Sequence, residues 1–149
     1  KEMSTFQSGE GVGMIVFRSG VCVIHSHLRD RFHHSSIFAG ASVNFAGEIK
    51  ISKGKIKWIS NKSGHYQPGL DCVKIILQWL RDSPRGVLLS EFPFDLVHST
   101  EVSPEIMNFI SSNKGSTHLL KRYNSNSQSK FLRVEPASLL LAALEKFGV

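Results

Sequence analysis

On both sides of Lys53-Gly54 the chain alternates apolar and polar residues, position by position. Ile49 and Ile51 are interleaved with Glu48, Lys50 and Ser52, and Ile56 and Trp58 with Lys55 and Lys57. A period of two sends successive side chains to opposite faces of a strand. Two such runs joined by an X-Gly pair predict a β-hairpin with one buried face. A lone two-stranded unit is marginal in water, so this hairpin must join a larger sheet or pack on a helix. Upstream, the apolar runs 14–17 and 21–24 are joined through Ser19-Gly20 and predict a second hairpin, with Arg18 at the end of its first strand.

After residue 68 the period changes. Leu70, Val73, Ile76, Leu77 and Leu80 recur at helical spacing, flanked by Ile75 and Trp79. Pro68-Gly69 precedes them and Ser83-Pro84-Arg85-Gly86 follows, which predicts an amphipathic helix of about three turns. Residues 87–89 with Phe92 predict a short buried strand, and Phe92-Pro93-Phe94 a turn or edge. Ser103-Pro104-Glu105 is a helix start, with Ser as N-cap and Pro in the first turn. Ile106, Phe109 and Ile110 form that helix's apolar face and Asn113-Lys114-Gly115 its end. Residues 123–130 (Tyr-Asn-Ser-Asn-Ser-Gln-Ser-Lys) read as an exposed loop. Residues 131–134 read as a last strand. Residues 136–147 read as a helix apolar nearly all round, buried on most sides or packed against chain outside these residues. Strands come early and helices late. The expected fold is α+β, a small antiparallel sheet built on hairpins with about three helices packed on one face. It forms a single domain over 1–149, expected to be a fragment of a longer protein because the chain starts at Lys1.

Composition narrows the function classes. The 149 residues suffice for one domain with a modest core. No apolar run approaches the roughly 20 residues that cross a bilayer, so no membrane span is expected. The formal net charge is +6, but Lys and Arg are scattered. The lysines of 50–57 alternate with apolar residues, as on the solvated face of a hairpin, so nucleic acid is not the expected partner. Cys22 and Cys72 each sit in an apolar segment and read as buried free thiols in a reducing compartment. His25, His27, His33 and His34 are close in sequence, but no Cys or carboxylate completes a recognised ligand spacing, so no metal is expected. Phosphate-loop, nucleophile-elbow and dinucleotide fingerprints are absent.

Two polar clusters bracket the central hairpin: His33-His34-Ser35-Ser36 before it and Asn61-Lys62-Ser63-Gly64-His65-Tyr66 after it. A serine beside a base can be a nucleophile, but four polar residues can equally form a turn with satisfied hydroxyls. In the second cluster Gly64 permits a tight backbone, and N–H groups ahead of a helix can hold a phosphate. His65 could serve as general acid or base near neutral pH. A plain turn with a structural His65 carries equal weight.

Residues 32 to about 80 resemble a module of plant calmodulin-binding proteins that carry an IQ motif. Similar modules occur in bacterial proteins, several of them toxins or secreted effectors. The resemblance rests on His34-Ser35-Ser36-Ile37-Phe38-Ala39-Gly40, Ala46-Gly47-Glu48, the Lys53-Gly54 turn and Ser63-Gly64-His65-Tyr66-Gln67-Pro68. The chain departs from the pattern at Ile37-Phe38 and Val43-Asn44-Phe45. It contains no IQ-type sequence, so calmodulin binding through that motif does not transfer. The resemblance implies an effector- or toxin-type domain, soluble and secreted into a host cytoplasm. It would be a nucleotide-dependent transferase using NAD (ADP-ribosyl transfer) or ATP (AMP transfer) on a partner protein. For ADP-ribosyl transfer, Arg18 would stand on the first strand and Glu91 is the nearest late carboxylate. For AMP transfer, His65 would be the motif histidine, although Gly69 stands where its carboxylate is expected. The implied catalytic residues are His34, Ser35, Ser36, Glu48 and His65, and the ligand-binding ones Arg18, Lys62, Ser63, Gly64 and Tyr66. The alternative is a non-catalytic protein-interaction module of a larger effector or signalling protein.

Overall fold

The computed structural model describes residues 12–26, 43–63, 68–84, 86–123 and 128–149. The chain forms two compact units, Lys1–Pro68 and Gly69–Val149.

The first unit holds β1 (Gly13–Arg18), β2 (Val21–Ser26), β3 (Phe45–Ser52) and β4 (Lys55–Ser60), antiparallel in the order β2-β1-β3-β4. Both expected hairpins are present. Each turns on two consecutive left-handed residues, Ser19 (φ 49°) with Gly20 (φ 84°) and Lys53 (φ 53°) with Gly54 (φ 77°). Paired left-handed residues match the right-handed strand twist and make two-residue loops favourable. The Asn44 side-chain carbonyl accepts from the Ser19 N–H at 2.7 Å, and the Asn44 N–H donates to the Phe17 carbonyl at 2.8 Å. The first turn is thereby tied to the start of β3.

β1 lies between two strands, and Met14, Ile15 and Val16 are all buried. That is why its sequence is a continuous apolar run. β3 alternates as expected, with Ile49 and Ile51 buried between half-buried neighbours. β4 does not. The ladder shifts between Lys50 and Ile51: Ile56 faces Ile51, but Trp58 faces Lys50 and Ile59 faces Ile49. One extra residue, Lys57, is accommodated as a bulge. Trp58 is therefore switched to the face opposite Ile56, and Trp58, Ile59 and Ser60 are buried in succession.

The second unit runs α1 (Leu70–Arg81), β5 (Phe94–Val97), α2 (Pro104–Ser112), β6 (Ser116–Tyr123), β7 (Gln128–Glu135) and α3 (Ala137–Lys146). Its strands are antiparallel in the order β5-β7-β6. α1 buries Val73, Ile76, Leu77 and Leu80, as its spacing predicts. In α2 the Ser103 hydroxyl accepts from the Ile106 N–H at 3.3 Å, the expected N-cap. α3 buries Ala137, Leu140, Leu141, Ala143 and Leu144 and packs against α1, α2 and β7. Neighbours on several sides account for its nearly uniform apolar character. The fold is α+β with antiparallel strands, seven of them among the described residues.

Two expectations need correcting. Residues 87–89 are not a strand: Leu88 is 58% exposed, and Leu89–Glu91 form a single 3₁₀ turn. The strand starts later, at Phe94, beyond the Pro93 that was expected to mark a turn or edge. Residues 123–130 are not all loop, because Tyr123 pairs with Gln128 and Lys121 with Lys130 in the β6–β7 hairpin. Polar strand ends exposed to water look like loop in sequence. α2 ends at Asn113-Lys114-Gly115 as expected, with Asn113 as C-cap and Lys114, rather than the glycine, in the left-handed region (φ 69°). Gly115 is needed for space instead, since a Cβ there would lie 2.6 Å from Leu139 and 2.8 Å from Ile110.

Candidate functional site: the buried polar end of the β3–β4 hairpin

β4 runs directly into the second polar cluster, and the chain stays inside the protein as it does so. Ser60, Asn61 and Ser63 are buried. Buried polar groups require partners, and Ser60 and Asn61 find theirs nearby. The Ser60 hydroxyl donates to Glu48 Oε1 at 3.4 Å and accepts from the Lys62 N–H at 3.2 Å. The Asn61 side-chain amide donates to the Pro68 carbonyl at 2.9 Å. This bond joins the residue that follows β4 to the proline that precedes Gly69.

Across the ladder stands Ala46-Gly47-Glu48. A Cβ on Gly47 would lie 2.0 Å from the Ser60 carbonyl oxygen and 2.8 Å from the Phe45 ring. Only glycine lets β4 approach so closely. Glu48, one residue on and paired with Ser60 in the ladder, reaches the Ser60 hydroxyl. The motif glycine and glutamate thus have a structural function in the hairpin.

Of the residues singled out from the sequence, Glu48, Lys62, Ser63 and Arg18 are described. Lys62 is half-buried and, through its backbone, bonded to Ser60, while Ser63 is buried beside it. Arg18 is not brought to them. It is exposed at the far end of β1, four residues beyond Met14, which faces Glu48; at strand rise this is roughly 13 Å. His34, Ser35, Ser36, Gly64, His65 and Tyr66 lie outside the described residues. Glu91 is exposed on the 3₁₀ turn of the second unit and follows no strand.

A second polar centre was not anticipated. Asp95 is wholly buried on β5, where its carboxylate accepts from Arg122 at 2.6 Å and from Arg133 at 2.7 and 3.0 Å. The Arg122 guanidinium also lies 4.1 Å over the Phe131 ring. The hydrogen bond to Asp95 raises the Arg133 pKa above its ordinary value. The three residues sit on three different strands, so no local pattern announces them. The Asp95–Arg133 ladder pair is the one signal, and it is visible only once β5 and β7 are known to be neighbours.

Cys22 and Cys72 are free thiols, each half-buried. Burial pushes the Cys22 thiol up to about 11 and raises Cys72 as well, so neither is an activated nucleophile. Among the described residues no group of three His, Cys, Asp or Glu side chains converges as a metal site. No described helix is long and apolar enough to cross a membrane.

Residues 4–73 match the family model of the IQ motif-containing protein middle domain. The matched segment nearly coincides with the first unit and contains the hairpin with both bracketing motifs. Over 150 aligned residues, 98% of the chain is 30% identical to the IQ domain-containing protein IQM3 of Arabidopsis thaliana, of whose length it spans 32%. No solved structure matches the chain. The plant side of the resemblance is supported by these matches, whereas the bacterial effector side gains no support from them.

Proposed function

We propose that this chain is a non-catalytic protein-interaction module of a larger protein of the plant IQ-motif type. The observation that carries the reading is the use made of the motif residues. Glu48 and Ser60 are bonded across the hairpin and Asn61 is bonded to Pro68, as in a scaffold. The IQM middle-domain match over the same unit supports it. Since the chain contains no IQ-type sequence, its contact with a partner would run over the surface of the module and not through that motif.

The test is to incubate the tagged chain with a plant lysate and labelled NAD or ATP. The expected outcome is retention of a defined partner, competed by untagged chain, with no label on any lysate protein. Label transfer that disappears in His65→Ala would replace this reading with the transferase one. His34, Ser35, Ser36, Glu48 and His65 would then be catalytic, with Arg18, Lys62, Ser63, Gly64 and Tyr66 on the nucleotide.

A further inference from the structure

We infer that the free edge of β6 is a docking site for an extended acidic segment of a partner protein, added as a further strand. The inference rests on the interaction-module reading and names its surface and its chemistry.

Among the described residues β6 pairs with β7 alone, and it ends the β5-β7-β6 order. A strand edge presents a row of backbone N–H and C=O groups that another chain can complete. β6 is eight residues long, exposed or half-buried throughout. Alternate residues share a face, which sets Leu119, Lys121 and Tyr123 in one row. Leu119 is 76% exposed and Tyr123 73%. Large apolar side chains so open to water, two positions apart from one lysine, form an apolar–basic–apolar row.

The charge of this hairpin is mainly positive. β6 and β7 carry Lys121, Arg122, Lys130 and Arg133 against the single carboxylate Glu135 at the end of β7. Lys121 faces Lys130 directly across the ladder. Like charges placed opposite one another are unfavourable, and an anion laid over them relieves this. On the other face, Asp95 is shared by two guanidinium groups, Arg122 and Arg133, leaving a surplus of positive charge there too. Lysines on an edge also repel a second copy of the same edge. That argues against self-pairing and for an acidic strand whose apolar residues flank a carboxylate.

The test uses the whole 149-residue chain and three short blocked peptides. One alternates valine and threonine around a central Glu-Val-Glu. The second has lysine for glutamate. The third is the acidic peptide with alternate backbone nitrogens methylated, which removes the strand-forming donors. By anisotropy the acidic peptide is expected to bind, more weakly as salt rises. The basic and methylated peptides should each bind at least about tenfold more weakly. Backbone amide resonances of β6 should shift on binding. Lys121→Glu places opposite charges across the ladder, so it should fold at least as well as the parent while reversing the peptide preference. Equal binding of the acidic and basic peptides, unchanged preference in Lys121→Glu, full binding of the methylated peptide, or shifts confined to other elements would each overturn the inference. A lysate partner captured equally by the parent and by Lys121→Glu would overturn the edge assignment but leave the module reading standing.

Discussion

Gly47 has no room for a side chain, and this gives the Ala-Gly-Glu motif its first testable consequence. In Gly47→Ala the added methyl meets the Ser60 carbonyl and the Phe45 ring, neither of which is the flexible end of a side chain. The cost is expected to be about 3 kcal/mol, at the upper end of overpacking effects. Gly54→Ala is the control. Gly54 has φ 77° and open space around it, so only the left-handed backbone is strained, at about 1 kcal/mol. Urea unfolding of the two variants compares them directly; equal losses would refute the close approach. Asn61→Ala removes a buried amide and strands the Pro68 carbonyl, with an expected loss of about 1–3 kcal/mol in the same measurement. At this scale the sequence showed where the motifs were, but not why each residue is there. Gly47 and Asn61 act on Ser60 and Pro68, and those partners become visible only once the ladder register is known. Ser60, buried at the centre of the network, drew no notice because its chemistry depends on Glu48 facing it.

Elements were legible where their apolar pattern was uninterrupted. α1, α2 and the two N-terminal hairpins follow from spacing and turn residues alone. β5 did not, because a buried Asp95 breaks the run Phe94-Asp95-Leu96-Val97, and its compensation comes from arginines 27 and 38 residues away. β6 did not, because an edge strand exposed or half-buried along its length has no apolar face to announce it. The Asp95 centre links all three strands of the second unit. Asp95→Ala is therefore expected to cost about 3–5 kcal/mol, since it leaves two partly buried guanidinium groups facing each other. A loss below about 1 kcal/mol in denaturant unfolding would show that the arginines turn out to solvent instead. The α1–α3 contact makes a milder prediction. Glu145 accepts from Gln78 at 3.0 Å and from Arg81 at 3.0 and 3.2 Å, and these bonds lower its pKa below 4.5. A carboxylate with a lowered folded pKa contributes stability that is present above its unfolded value and fades as pH falls through the folded one. Glu145→Gln should therefore melt below the parent at neutral pH, and the gap should close as the solution is acidified below about pH 4. A gap independent of pH would assign the effect to packing of α3.

For the molecule as a whole, the sequence indicated α+β from an expected order of strands first and helices after; the class is right, but the order is not, since β5, β6 and β7 follow α1 and alternate with the later helices. The function was harder to read. Serines, histidines and a glycine in two clusters have the composition of a transferase site and equally that of two hydrogen-bonded loops, and residue type alone cannot separate them. The hydrogen bonds of Glu48, Ser60 and Asn61 describe only the start of the second cluster, which they tie to the hairpin and to Pro68. Arg18 lies roughly 13 Å along β1 from the residue facing Glu48. Melting curves of the 149-residue chain with NAD and with ATP bring this to a decision. A nucleotide bound at 100 times its dissociation constant stabilises by about 2.7 kcal/mol, or roughly 5–10 °C for a chain of this size. A scaffold should move by less than about 1 °C with either nucleotide at millimolar concentration. A rise of several degrees that is lost in Lys62→Ala, a half-buried residue whose Ser60 contact runs through its backbone, would restore the nucleotide site and overturn the module reading, because that substitution leaves the hairpin's own hydrogen bonds in place.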